Sequence, residues 1–140
     1  MSVNVLYTTK ARATGGRDGQ SGTIDGSFSV KLGMPKELHG TGDGVNPEQL
    51  FATGYAACFL GAMKAVAPQL SITVPVGASV TATVGIGPRS EGGFGLTIAL
   101  EVDASGLDRG EAEVLVAKAH EVCPYSNATR NNIDVAISIV

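Results

Sequence analysis

One long apolar segment, residues 46–70, limits what this chain can fold into. Asn46 suits a helix N-cap, Pro47 the first helical position, and Gln49 the reciprocal partner of a capping box. Residues 50–63 carry no charge. The segment is therefore predicted to be a helix that is buried on every side. Its uncharged part is shorter than the roughly 20 residues needed to span a bilayer, so we do not expect a membrane helix.

Composition narrows the class of protein further. The 140 residues are 44% hydrophobic and 16% charged, which favours a single folded domain, residues 1–140, over a disordered chain. A net charge of −3 provides no basic surface for nucleic acid. The start of the sequence does not resemble a signal peptide, so we expect a cytoplasmic protein whose two cysteines are reactive or simply buried.

Period-two alternation and helix-capping signals predict the remaining elements. In chain order they are a strand at 2–9, a hairpin turning at Asp25-Gly26, the central helix, a long hairpin with strands near 74–86 and 96–102, a second helix, and a strand at 133–139. The second helix begins at the Asp108 cap, with Glu111 as its box partner, and ends near Val122 before Pro124. The order β-β-β-α-β-β-α-β indicates an α+β fold with antiparallel sheets around a buried helix. Because two small sheets cannot enclose an apolar helix completely, we expect a second copy of the chain to complete the core as a homodimer.

Two glycine-rich segments precede the central helix. Residues 13–19 surround Arg17 with three glycines, a pattern typical of a plain surface turn or of a mobile charged arm. Residues 33–45 form a second such connector, of the kind that covers a site or crosses to a partner.

Cys58 lies in the middle of the apolar helix, where an unpaired thiol is most often an inert packing residue. Burial raises a thiol pKa, so a nucleophilic Cys58 would need a nearby cation. Lys64 falls on the far side of the helix, whereas Arg17 is on a loop that spacing alone cannot place. Cys123 follows His120 by three residues, but with His39 these residues match no compact zinc motif, so no metal is expected.

Glu48 complements the dipole at the helix N-terminus, or alternatively anchors Arg17. In a straight helix Glu48 and Cys58 would be about 15 Å apart along the axis, too far for one guanidinium to contact both. If both bind Arg17, either the helix breaks near Gly54 or the two acidic groups come from different chains.

Three motifs together resemble the organic hydroperoxide resistance proteins of the Ohr/OsmC superfamily. They are ATGGRDG at 13–19, NPEQLFA with GYAACF at 46–59, and HEVCPYSNATR at 120–130. The likeness covers essentially the whole chain and favours the Ohr branch. It implies an intertwined homodimer with active sites at the subunit interface.

The resemblance also implies roles for individual residues. Cys58 would be the peroxidatic thiol and Cys123 the resolving thiol, with Arg17 stabilising the thiolate and Glu48 holding Arg17. Alkyl and fatty-acid hydroperoxides would be the substrates. The reductant would be dihydrolipoamide or a lipoylated protein, with no bound cofactor.

An apolar surrounding suits bulky organic hydroperoxides, and four side chains are expected to line it: Phe51, Met63, Phe94 and Tyr125. Core packing is the alternative for each of them. Two other classes of protein stay open on the residues alone: a redox sensor that signals through the same disulfide, and a structural dimer whose cysteines only pack.

Overall fold

The computed structural model describes all 140 residues, Met1–Val140, and divides into two compact units, Met1–Leu50 and Phe51–Val140. In chain order the elements are β1 (Ala11–Thr14), β2 (Gln20–Thr23), β3 (Ser29–Lys31), α1 (Pro47–Val66), β4 (Ser79–Pro88), β5 (Phe94–Asp103), α2 (Arg109–Val122), α3 (Pro124–Thr129) and β6 (Val135–Ile139). The predicted α+β class is confirmed, with one short helix, α3, added to the predicted order. The prediction that residues 1–140 form a single domain is not tested by this division into two units.

The first unit contains an antiparallel sheet in the order β1-β2-β3. The strand predicted at residues 2–9 is wrong, because these residues have no regular structure and Val3, Val5 and Tyr7 are 72%, 65% and 79% exposed. Alternation makes a segment suitable for a sheet, but a strand also needs a neighbour, and the chain supplies none here. The first strand begins later, at Ala11, where β1 pairs with β2.

The hairpin between β2 and β3 is confirmed, but its turn is longer than the predicted two-residue type. The backbone N–H of Thr23 donates to the Phe28 carbonyl at 2.9 Å, which leaves residues 24–27 in the turn. Asp25 shapes it by accepting from the Ser27 N–H at 3.0 Å and from the Ser27 hydroxyl.

The connector at residues 33–45 folds back on itself. Leu32 and Val45 form an isolated bridge, and the Gly33 N–H donates to the Val45 carbonyl at 3.0 Å. A Cβ on Gly33 would lie 1.6 Å from the Asp43 carbonyl oxygen. Glycine is therefore needed here for close backbone approach.

Helix α1 begins as predicted. The Gln49 N–H donates to the Asn46 side chain, and the Asn46 N–H donates to the Gln49 side chain, both at 2.9 Å. This reciprocal capping box leaves the helix continuous from Pro47 to Val66, so the break considered near Gly54 is wrong.

Only one side of helix α1 is buried within the chain. Tyr55, Phe59 and Met63 are completely buried, whereas Ala57 and Gly61 are exposed, so burial on every side is wrong for a single chain. By length and composition alone, the 24 residues from Pro47 to Leu70 could cross a membrane, and an 18-residue window of this segment has a mean hydropathy of 1.4. The whole helix is therefore long enough, although its uncharged part, residues 50–63, is shorter than the roughly 20 residues of a bilayer span. The core helix of a soluble protein meets the same criterion.

In the second unit, β4 and β5 form the predicted long antiparallel hairpin, pairing from Ser79↔Asp103 to Pro88↔Phe94. Strand β4 begins at Ser79 and not near residue 74 as predicted, and Val76 before it is fully exposed. Strand β6 runs parallel to β5, so the expectation of purely antiparallel sheets is wrong for this sheet. The two helices between β5 and β6 provide the long crossover that a parallel pair requires. Helix α2 is capped as predicted, because the Asp108 carboxylate accepts from the Glu111 N–H at 2.8 Å.

The core of the second unit joins helix α1 to β5 and α2. Its completely buried large side chains are Tyr55, Phe59, Met63, Leu100, Val102, Leu115, Cys123 and Ser126. Both cysteines belong to this core, since half-buried Cys58 packs against it.

Candidate active site

The second unit brings Cys58 and Cys123 together. Cys58 lies on helix α1 and is half-buried, and Cys123 is completely buried at the bend between α2 and α3. Their Sγ atoms are 3.6 Å apart, and both thiols are free. A disulfide bond is about 2.05 Å long, so a small movement would join them.

Burial raises the pKa of the Cys58 thiol, and the neighbouring Cys123 thiol acts in the same direction. The backbone N–H of Tyr125 donates to Cys58 and works against both effects. Within the chain the protonated thiol is thus favoured. A reactive Cys58 needs a further positive charge, as the sequence indicates.

Three aromatic side chains of the second unit form a cluster beside an open groove. The rings of Phe51, Tyr55 and Tyr125 contact one another with centroids 5.7 to 6.2 Å apart. An open groove of about 370 Å³ runs beside them, lined by Phe51, Tyr125, Ala128, Thr129, Asn132 and Ile133. Met63 is completely buried in the core, and Phe94 is 71% exposed at the start of β5. The structure thus brings Phe51 and Tyr125 into one groove; substrate contact stays a prediction for all four residues.

In the first unit, Arg17 and Glu48 form a bidentate ion pair. Arg17 Nη1 donates to Glu48 Oε2 at 2.9 Å, and Nη2 donates to Oε1 at 2.7 Å. The Glu48 side chain is 11% exposed and that of Arg17 is 36% exposed. The ion pair lowers the pKa of Glu48 and raises that of Arg17, so both groups are charged at neutral pH.

The loop that carries Arg17 is compact. Gly15 and Gly16 have positive φ angles of 75° and 64°, a conformation that glycine adopts without strain. A Cβ on Gly19 would lie 1.8 Å from the Thr14 carbonyl oxygen. The glycines therefore close the loop that presents Arg17 to Glu48.

The sequence analysis missed a chain of hydrogen bonds beside the cysteines. Tyr55 Oη lies 2.7 Å from Ser126 Oγ, which lies 2.8 Å from His120 Nδ1. A tyrosine hydroxyl in an apolar helix needs a buried partner, which was the available signal. No three His, Cys, Asp or Glu side chains are placed to hold a metal ion, and His39 is exposed on the connector.

Several known proteins are similar to this chain in sequence and fold. The model of the OsmC-like protein family matches residues 40–138. An organic hydroperoxide resistance protein from Xanthomonas axonopodis is 54% identical over 136 residues, covering 96% of this chain and 95% of that protein. The chain belongs to the OsmC-like family.

Solved structures agree with this assignment. An organic hydroperoxide resistance protein from Vibrio cholerae, with captopril bound in one of its active sites, matches with a TM-score of 0.94 and 47% identity, covering 99% of this chain and 95% of that one. The OhrB protein of Bacillus subtilis matches with a TM-score of 0.87 and 42% identity, covering 97% of this chain and 100% of that one. These relatives, within the Ohr branch of the OsmC-like family, support a role in resistance to organic hydroperoxides.

Proposed function

We propose that this OsmC-like protein is a thiol peroxidase that reduces organic hydroperoxides to alcohols in the cytoplasm. The observation that carries the proposal is the pair of free thiols, Cys58 and Cys123, with Sγ atoms 3.6 Å apart. Two thiols at this distance can cycle between reduced and disulfide states with little movement. The apolar groove beside Tyr125 favours an organic substrate over hydrogen peroxide.

In the first step the Cys58 thiolate attacks the terminal oxygen of the hydroperoxide. The O–O bond breaks, the alkoxide leaves as an alcohol after taking a proton, and Cys58 becomes a sulfenic acid. Sulfur is oxidised by two electrons, and the peroxide is reduced by two. The Tyr125 N–H supports the thiolate, but burial opposes it, so this step depends on a cation.

Arg17 is the proposed cation, held in orientation by Glu48. Since helix α1 is continuous, Glu48 and Cys58 are about 15 Å apart along its axis, and one guanidinium cannot contact both in one chain. The remaining alternative is that Arg17 and Glu48 of one subunit serve Cys58 of a second. The proposal therefore includes a homodimer with its active sites at the subunit interface.

In the second step the Cys123 sulfur attacks the Cys58 sulfenic acid. An S–S bond forms, the S–O bond breaks, and the oxygen leaves as water with the Cys123 proton. A dihydrolipoyl group, free as dihydrolipoamide or on a lipoylated protein, then exchanges its two thiols for the disulfide. This returns Cys58 and Cys123 to the reduced state and leaves a lipoyl disulfide.

A peroxidase assay tests the proposal. Purified protein with dihydrolipoamide should reduce cumene hydroperoxide with many turnovers and should reduce hydrogen peroxide more slowly. Cys58→Ser should abolish turnover, because serine forms no sulfenic acid. Cys123→Ser should consume one equivalent of hydroperoxide and then stall.

The same assay separates the other classes of protein. Stoichiometric oxidation without turnover would replace the peroxidase with a redox sensor. Thiols that do not react with cumene hydroperoxide would leave only a structural protein. Equal turnover with thioredoxin or glutathione would overturn the proposed lipoyl reductant.

A further inference from the structure

A hydrogen-bonded chain of three side chains joins the two elements that carry the cysteines. Tyr55 is three residues before Cys58 on helix α1, and it contacts Ser126 at 2.7 Å. Ser126 contacts His120 at 2.8 Å, and these two residues lie on either side of Cys123, three residues away in each direction. These hydrogen bonds therefore span the bend that contains Cys123 and connect it to the helix that contains Cys58.

Burial fixes the direction of the hydrogen bonds. Tyr55 and Ser126 are both completely buried, and Ser126 is the described partner of the Tyr55 hydroxyl. Tyr55 must therefore donate to Ser126, because its proton would otherwise be unsatisfied in the core. Ser126 in turn donates to His120 Nδ1, which requires a neutral imidazole with its proton on Nε2.

The surroundings of His120 favour this neutral form. Burial and the positive charge of Arg130 both lower the pKa of His120. Arg130 also donates to the His120 backbone carbonyl, and the ring of Phe59 packs 6.4 Å from the imidazole, centroid to centroid. A polar cavity lined by His120, Arg130 and Asp134, among others, adjoins the imidazole.

We propose that Tyr55, Ser126 and His120 are positioning residues that hold Cys123 against Cys58 for disulfide formation. This inference rests on the proposed peroxidase function. Ser126 and His120 lie three residues after and before Cys123, so fixing both side chains fixes the bend that holds the Cys123 sulfur. No unsatisfied buried polar side chain remains around this arrangement, which makes it rigid.

The chemical consequence lies in a competition at the Cys58 sulfenic acid. Attack by Cys123 gives the disulfide and water. A second hydroperoxide molecule instead oxidises the sulfenic acid to a sulfinic acid and leaves as an alcohol, which ends turnover. Misplacing the Cys123 sulfur slows disulfide formation but not oxidation by a second hydroperoxide. A loosened Cys123 should therefore increase the fraction of Cys58 that becomes sulfinic acid.

The test is Tyr55→Phe, which removes one hydroxyl and keeps the ring. The matched control is Tyr7→Phe, because Tyr7 is 79% exposed. With dihydrolipoamide present, the cumene hydroperoxide concentration that inactivates half of the Tyr55→Phe protein should fall roughly ten-fold. The rate of Cys58 oxidation in single turnover should change less than about two-fold, because Arg17 acts on that step. Mass spectrometry of the Cys58 peptide should show sulfinic acid in place of disulfide.

Ser126→Ala is the second variant, because it removes the central hydroxyl that contacts both Tyr55 and His120. Its control is Ser138→Ala, on the exposed side of β6. Thermal melting of each variant identifies loss of folding. Folded Tyr55→Phe and Ser126→Ala proteins that partition between disulfide and sulfinic acid like wild type would overturn the positioning role. Failure of the peroxidase function itself would instead appear in the wild-type protein, as absence of cumene hydroperoxide reduction.

Discussion

At the scale of single residues, the ion pair between Arg17 and Glu48 makes stability depend on pH. Arg17 lowers the pKa of Glu48 below its usual value of 4.5. A carboxyl group with a lowered pKa in the folded state stabilises the protein above its unfolded pKa, and this contribution is lost as the pH falls through the folded pKa. Because the Arg17 side chain is 36% exposed, the contribution is at most about 1 kcal/mol.

Glu48→Gln is therefore expected to lower the free energy of unfolding at pH 7 by up to about 1 kcal/mol and to have a smaller effect at pH 3. Urea denaturation of both proteins at the two pH values measures the difference. Glu101→Gln is the control, since Glu101 is exposed on β5 and forms no described ion pair. An equal loss at both pH values would show that Glu48 stabilises the fold by packing and not by charge.

Arg17→Ala tests the catalytic role proposed for the same ion pair. Burial raises the pKa of Cys58, and removing the guanidinium should raise it further because the thiolate would lose the positive charge that offsets burial. The value of kcat/KM for cumene hydroperoxide should fall by about 100-fold. The pH dependence of Cys58 alkylation by iodoacetamide reports the change in pKa. Arg12→Ala, on exposed β1, is the control; wild-type kinetics in Arg17→Ala would remove Arg17 from the mechanism.

Local contacts at this scale were predictable, whereas distant ones were not. The Asn46–Gln49 capping box follows from residues three positions apart on one helix turn. The contact between Tyr55 and Ser126 joins residues 71 positions apart, and only the packed tertiary structure brings them together. The Cys58–Cys123 pairing is separated by 65 positions and came from the family resemblance, not from spacing.

At the scale of elements, replacing Gly54 of helix α1 has two opposing effects on stability: a gain in helix propensity and a steric conflict with Tyr125. Alanine at Gly54 should gain about 1 kcal/mol of helix propensity. Its Cβ would lie 2.9 Å from Tyr125 Oη and 3.3 Å from Tyr125 Cε2, so the ring must move. Tyr125 is 37% exposed, so its side chain is not enclosed by the core on every side.

Gly54→Ala should therefore change the free energy of unfolding by less than about 1 kcal/mol while altering the groove at Tyr125. The KM for cumene hydroperoxide should change more than the KM for the smaller tert-butyl hydroperoxide. Denaturation together with both KM values checks the prediction. A loss of stability beyond about 2 kcal/mol would show that the core holds Tyr125 in place.

Periodicity identified the β4–β5 hairpin, but it placed the start of β4 five residues too early and failed at residues 2–9. An alternating pattern describes which face of a strand is apolar, but it does not specify the neighbour that completes the hydrogen bonds. Strands β4 and β5 are joined by a short turn and pair with each other over ten residues. The parallel direction of β6 depends on the length of the α2–α3 crossover, which alternation does not encode.

At the scale of the whole molecule, an apolar N-terminal segment and a strip of small residues on α1 are both exposed in the single chain. Val3, Val5, Leu6 and Tyr7 are all more than 60% exposed. Thr53, Ala57 and Gly61 recur every four residues along α1 and form an exposed strip of small side chains. Small residues let helices approach closely, so this strip and the N-terminal segment both favour the homodimer proposed above.

Gly61→Ala distinguishes a free helix surface from one covered by a second copy. A Cβ at Gly61 would meet nothing within 4 Å in the chain, so an isolated helix should gain about 1 kcal/mol of stability. In a dimer that uses this strip, the added methyl group would separate the helices, and we expect the dimer to dissociate at lower dilution. Analytical ultracentrifugation over a dilution series, with Gly77→Ala as a control in a turn that also has open space, measures this change. A dimer of unchanged affinity with a higher melting temperature would place the subunit interface away from helix α1.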